Sequence, residues 1–289
     1  VLLLAHLDVV EARREDWTRD PFTLVEENGY FYARGAADDK AQAAIFTDLL
    51  IRLRQEGYQP RRTLKLALTC GEESGGRMNG AEWLAKNRRD LIDAGLALNE
   101  GAGGTLDAKG GYVSHQVLAA EKAAVNFTLE VTNPGGHSSR PVPDNAIYHL
   151  ARALDAISRY EFPVQLNDAN RAYFSATAKL VDPAMGAAMT ALLANPQDAA
   201  ADAIVSRDPG YHTMLRTTCV ATQIDGGHAQ NALPQRARAN VNCRIFPGVP
   251  PEQVRDALVK AIANPQVVVS APAVRRPPAP APAMGPKVL

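Results

Sequence analysis

Short apolar runs that each end in an acidic or imidazole group recur through the first hundred or so residues of this chain. Residues 1–5 lead into His6-Leu7-Asp8, residues 63–69 into Gly71-Glu72-Glu73, and residues 96–98 into Asn99-Glu100-Gly101. Between the first two lies Arg34-Gly35-Ala36-Ala37-Asp38-Asp39-Lys40. Such runs read as buried parallel strands, which would gather the polar groups at one edge of one sheet, where open α/β folds build their sites. One imidazole with several carboxylates is a ligand set suited to a borderline cation such as zinc. A metallohydrolase is the reading that follows.

The bulk numbers narrow the alternatives. At 289 residues, 46% of them hydrophobic, the chain can bury one large core or two ordinary ones. Basic and acidic residues balance at 31 each, and no basic block argues for nucleic acid or an anionic membrane as partner. No apolar run approaches the roughly 20 residues that a membrane-spanning helix needs. Cys70, Cys219 and Cys243 are scattered, so a disulfide framework is not expected, although a Cys219–Cys243 pair stays open. The chain starts with Val1 inside a strand-like run and ends in a Pro- and Ala-rich stretch at 275–286, so it reads as an internal fragment.

Periodicity divides the chain. Residues 1–117 alternate strands with helical stretches: Ile45, Phe46, Leu49, Leu50 and Leu53 recur at helical spacing over 40–56, and Gly57 is a natural stop. That order predicts a doubly wound α/β domain, here the N-terminal part of a catalytic domain. From about 118 to 272 the texture is α+β. Val125, Phe127, Leu129 and Val131 alternate with polar residues, as do Ala237, Ala239, Val241 and Cys243. Ile147, Leu150, Leu154 and Ile157, then Val254, Leu258 and Ile262, mark helices covering one face of an antiparallel sheet. Residues 183–216 read as Ala-rich and irregular, and 273–289 as the start of a returning catalytic segment.

Taken singly, the polar groups have plain explanations. His6 reads as a hydrogen-bonded strand-end group, Asp38-Asp39 as a helix cap, and Glu72-Glu73 as a solvated turn. Alternation also points His6 and Asp8 to one side, so that Asp8 can accept a proton from one ring nitrogen and leave the other to a metal. Together with the later motifs they carry more weight. AHLDVV (5–10), ARGAADDK (33–40), TCGEESGG (69–76), NEGAG (99–103), NPGGHSS (133–139) and NALPQRARANVNCRIFPG (231–248) stand in one order. That set resembles the dinuclear zinc peptidase and deacylase family that includes glutamate carboxypeptidase, aminoacylase and succinyl-diaminopimelate desuccinylase. Ala41 departs from the family's usual Gly, and the family's final ligand histidine is not in the chain.

The resemblance implies a zinc-peptidase catalytic domain, incomplete here, with an inserted α+β lid and dimerisation domain. His6, Asp38 and Glu100 resemble the ligands of one zinc, and Asp38 bridges to a second held by Glu73. Two zincs per full-length subunit are implied, with cobalt or manganese as substitutes. Glu72 resembles the general base acting on a metal-bridged water, and Asp8 the partner that orients His6. His137 resembles a histidine that reaches across a homodimer to the partner's substrate, and Asn231 and Arg244 resemble groups that hold the substrate's carboxylate. The implied substrate is a peptide or N-acyl amino acid, cleaved in carboxypeptidase, dipeptidase or deacylase fashion, and Glu100 favours substrates with a free carboxylate. The competing reading is a non-catalytic dimerising scaffold. The resemblance also implies a cis peptide at Asp38–Asp39.

Overall fold

The computed structural model describes residues 1–73 and 78–271, so the last part of the TCGEESGG motif (74–76) and the segment 273–289 lie outside the described residues. The chain divides into two compact units, Val1–Val117 and Leu118–Leu289.

The first unit contains β1 (Leu2–His6), β2 (Val25–Glu27), β3 (Tyr30–Tyr32), α1 (Lys40–Gln55), β4 (Lys65–Thr69), α2 (Gly80–Asn87), α3 (Arg89–Ile92), β5 (Ala97–Leu98), β6 (Gly104–Leu106) and β7 (Tyr112–His115). The three apolar runs become a parallel sheet of order β4-β1-β5, with His6 opposite Thr69 and Leu3 opposite Leu98. β1 is central, and its Leu2, Leu3 and Ala5 are buried. All three strands therefore run out at one edge, and the chain after each carries a polar cluster. The other strands form two hairpins, β2–β3 and β6–β7. Asn28 and Gly29 turn the first of these, both with positive φ, as a tight two-residue turn requires.

α1 spans the expected stretch and packs on β1 and β4, and Gly57 follows its end with φ +69°. The apolar stripe is less buried than its spacing suggests: Ile45 is 64% exposed, Leu49 42%, and Ala43 is the buried residue. A three-stranded sheet offers too little surface to cover a helix of this length.

The second unit contains β8 (Ala123–Thr132), β9 (Gly136–His137), α4 (Ala146–Arg159), α5 (Asp168–Thr177), α6 (Pro183–Ala194), α7 (Ala199–Val205), α8 (Pro209–Leu215), β10 (Thr218–Gly226), β11 (Ala232–Leu233), β12 (Arg236–Ile245), α9 (Pro251–Ile262) and β13 (Val268–Ser270). β10, β12, β8 and β13 form an antiparallel sheet in that order. Its inner face buries Phe127, Leu129, Val131, Val241 and Ile245 against Leu150 and Ile157 of α4 and Val254 and Leu258 of α9. Truncating a side chain as buried as Phe127 to alanine costs about 3–5 kcal/mol. The outer face is polar: Asn240 and Asn242 both donate to Asn126 Oδ1, at 3.2 and 2.9 Å. On α4, Ile147 is 40% exposed, and the buried stripe is Ala146, Leu150, Ala153 and Ile157.

Two sequence expectations change here. Residues 183–216 are not irregular: α6, α7 and α8 close a second core of Phe174, Met189, Leu192, Val205 and Leu215. Asp182, Asp198 and Asp208 each accept backbone N–H bonds at a helix start, and Pro183 and Pro209 occupy first helical positions. Those Asp-Pro pairs were the available signal, and the alanines lengthen the helices they start. Cys219 and Cys243, directly opposite one another on β10 and β12, form a disulfide, leaving Cys70 free among the described residues.

Candidate metal centre

The edge at which β1, β4 and β5 end brings the sequence-predicted groups of the first unit together. His6 is 4% exposed. Its Nε2 lies 3.0 Å from Asp38 Oδ1 and 3.5 Å from Glu100 Oε2. Among the described residues, two sets of ligand atoms fall within 4.8 Å of one another: His6, Asp38 and Glu73, and His6, Asp39 and Glu100. Glu72 belongs to neither set and is exposed. A cleft of about 430 Å³ opens beside them, lined by Asp38, Asp39, Glu100, Gly101 and residues of the first turns of α1.

The local chain explains these positions. The Asp38–Asp39 peptide is cis, as the family resemblance implied. Asp39 does not cap α1 with its side chain. It is 3% exposed and its Oδ2 accepts the backbone N–H of His6 at 3.2 Å, which ties the start of α1 to the end of β1. Reading Asp38-Asp39 as a simple cap missed this contact, which depends on a residue 33 positions away. Gly71 is held at φ +88°, and a Cβ there would meet the Met78 carbonyl oxygen at 2.0 Å. Only glycine fits the turn that delivers Glu72 and Glu73.

Asp8 stands beside both the His6 ring and the turn that follows β4. His6 Nδ1 lies 3.0 Å from the Asp8 backbone carbonyl and 3.4 Å from its carboxylate. That carboxylate also accepts the N–H groups of Glu73 at 3.0 Å and Glu72 at 3.3 Å. The backbone oxygen fixes the Nδ1–H tautomer of His6, and the carboxylate anchors the Glu72–Glu73 turn. Burial alone would raise the Asp8 carboxyl, but the amides of Glu73, Glu72 and Gly71 hold it below its usual range.

The electrostatics favour a cation. Glu73 is pushed up by burial and by the charges of Asp38 and Glu72. Glu100 is also raised, by burial and by Asp39, Asp38 and Glu72, against the opposing effect of His6. Burial would lower His6, yet the Asp8 carbonyl, Glu100 and Asp38 raise it. Carboxylates crowded around one imidazole repel one another, and a divalent cation relieves that repulsion. The donor set therefore fits a metal.

In the second unit, β9 pairs with β11, which sets His137 opposite Ala232, and Asn231 accepts the Ser138 N–H at 3.0 Å. Asn231 is thus a neighbour of His137. Arg244 is not: it lies eight positions along β12 from Arg236, roughly 27 Å of strand. Arg244 therefore lies far along the strand from the end that Asn231 precedes. Beside Arg244, Lys122 Nζ donates to Thr213 O, Thr213 Oγ1 and Thr218 Oγ1, each at 3.0 Å. No sequence pattern marked Lys122.

Burial, with Arg244 and Arg216 nearby, pushes Lys122 down to about 8 from 10.5. Its folded value lies below its unfolded one, so between those limits the unfolded chain binds more protons and stability climbs with pH. Below pH 8 the cost is fully present. Unfolding free energy should rise by up to about 3 kcal/mol across that window in denaturant titrations, less to the extent that solvent screens the partly exposed amine. The difference from Lys122→Gln should isolate this increment, and equal slopes in the two proteins would refute it.

Fold and donor set together define a class: an α/β chain whose sheet edge is equipped to hold a divalent cation among an imidazole and carboxylates. The chain belongs to the peptidase family M20/M25/M40, whose model matches residues 2–270. It is 29% identical over 275 residues to N-fatty-acyl-amino acid synthase/hydrolase PM20D1 of Mus musculus, covering 92% of this chain and 53% of that protein. The Xenopus tropicalis protein of that name is 30% identical over 274 residues, covering 93% and 53%. Probable carboxypeptidase S-like 2 of Dictyostelium discoideum is 27% identical over 276 residues, covering 93% and 52%. The chain thus spans about half the length of these relatives. Among solved structures, the M20 family metallo-carboxypeptidase Sso-CP2 from Sulfolobus solfataricus matches with TM-score 0.60 at 24% identity, covering 93% of this chain and 63% of that one. Di-peptidase Dug1p from Saccharomyces cerevisiae matches with TM-score 0.59 at 18% identity, covering 94% and 60%. At such identities the likeness shows the fold alone.

Proposed function

We propose that the intact protein hydrolyses the amide bond of a peptide or N-acyl amino acid carrying a free carboxylate. The supporting observation is the division of labour between two adjacent carboxylates: Glu73 falls within ligand distance of His6 and Asp38, and Glu72 stays outside both donor sets. His6, Asp38 and Glu100 would hold one cation and Asp38 and Glu73 a second, with zinc the best match to the donors. Bound there, the cations supply positive charge that polarises the scissile carbonyl and acidifies the attacking water. Glu72 takes the proton as the water oxygen bonds to the carbonyl carbon, then returns it to the leaving amine nitrogen as the carbon–nitrogen bond breaks. Asp8 holds the Glu72–Glu73 turn in place through two backbone N–H bonds.

His137 and Asn231 act on the substrate bound by a partner subunit of a homodimer. Arg244, at the far end of β12, serves a substrate carboxylate at a different site from the one His137 serves. One second unit would then contribute to two sites.

Release of free carboxy-terminal amino acids from N-blocked dipeptides and N-acyl amino acids, with no action on substrates that need a free amino terminus, tests the reading. Zinc at a hundredfold excess over its Kd should stabilise the metal-free protein by about 2.7 kcal/mol. The gain should shrink in Glu73→Ala and vanish in Asp38→Ala, which removes the ligand shared by both cations. Bound metal without turnover on any such substrate would replace the enzyme with a scaffold.

A further inference from the structure

We infer that Ser139 sets the tautomer of His137, so that the loop presents a neutral ring with Nε2–H outward; this rests on the proposed role of His137 toward substrate. His137 is fixed through its backbone: β9 pairs with β11, the Ser138 N–H bonds to Asn231 O at 3.0 Å, and the Arg140 N–H bonds to His137 O at 3.0 Å. The ring then turns back on its own chain. Nδ1 lies 2.8 Å from Ser139 Oγ and 3.2 Å from the Ser139 backbone nitrogen.

The amide decides the assignment. A hydroxyl can donate or accept, so the Oγ contact alone fits either tautomer. A backbone N–H can only donate, so the nitrogen it points at must carry a lone pair. Nδ1 is therefore unprotonated, the Ser139 hydroxyl also donates to it, and the single ring proton of a neutral imidazole sits on Nε2. Nε2 has no partner among the described residues, and both side chains are exposed, leaving that N–H free for an incoming group.

The chemical consequence concerns the carbonyl oxygen under attack. An Nε2–H donor stabilises the negative charge that develops there. The other tautomer would aim a lone pair at that charge and lose the interaction. Ser139 is thus a positioning residue: it touches the ring and not the substrate.

The test is carried out on the intact, metal-loaded protein with ¹⁵N-labelled histidine. Long-range ¹H–¹⁵N correlation should show His137 in the Nε2–H form. Ser139→Ala, which removes the hydroxyl donor but keeps the backbone N–H, should add a minor Nδ1–H signal and lower kcat by a few fold with KM little changed, the loss of one of two hydrogen bonds to Nδ1. Ser139→Thr, which keeps the hydroxyl, should restore both. An Nδ1–H ring in the unmodified protein, or a Ser139→Ala variant with unaltered tautomer and kcat, overturns the inference. Full activity in His137→Ala, with the tautomer shifting as described, would instead sink the catalytic role of His137 and leave the tautomer assignment standing.

Discussion

Glu72→Ala in the intact protein should lower kcat by about a thousandfold or more, the range associated with loss of a general base, while metal content stays unchanged. The expectation comes from the geometry around the Gly71 turn. Glu72 and Glu73 are adjacent, so their side chains leave the backbone in different directions, and Glu73 joins His6 and Asp38 within 4.8 Å. Glu72 is held through its backbone N–H, to Asp8 Oδ1 at 3.3 Å, and its carboxylate is exposed, where it can move a proton. Glu73→Ala should show the converse pattern, with metal lost first and activity lost as a result. Inductively coupled plasma measurement of zinc beside kcat separates the two. Metal loss in Glu72→Ala with metal retained in Glu73→Ala would mean that the roles are exchanged.

His137→Ala should depress kcat by about a hundredfold to a thousandfold, the loss measured when a single donor to a developing oxyanion is removed. The sharper expectation is recovery in mixed dimers. If His137 serves the partner's substrate, a dimer of one His137→Ala chain and one Glu72→Ala chain holds one site with both groups intact. That site pairs the Glu72 of the first chain with the His137 of the second, and the other site lacks both. Mixed dimers isolated with two affinity tags should then regain about half the activity per dimer, while each parent homodimer stays nearly inactive. Demonstrated heterodimers with no recovery would place His137 in the site of its own chain.

Much of this arrangement was legible in the order of residues. The apolar runs ahead of His6, Glu72 and Glu100 become the strands β1, β4 and β5, although of the three only β1 is buried, β4 being mostly half-buried and β5 exposed. Alternation along β8 and β12 marked the two central strands of the second sheet, because a half-buried strand must repeat every second residue. Six ordered motifs carried the family. The helices of 183–216 escaped because their apolar residues have no single stripe to betray them. They pack into a core of their own from several sides, and the Asp caps with following prolines were the readable cue.

By itself, then, the sequence determined which groups could carry the chemistry, because ligand chemistry depends on residue type and on a strand ending just before each group. Tertiary structure decided how those groups divide the work. It turned Asp39 from a cap into a buried acceptor of the His6 N–H, and gave the Asp8 carboxylate the Glu72–Glu73 amides as further partners. It also set Asn231 beside His137 while carrying Arg244 to the opposite end of β12. The physical reason is common to all three. Each outcome hinges on a hydrogen bond or strand register between positions far apart in the chain, and no local spacing encodes which of several nearby donors and acceptors will finally meet.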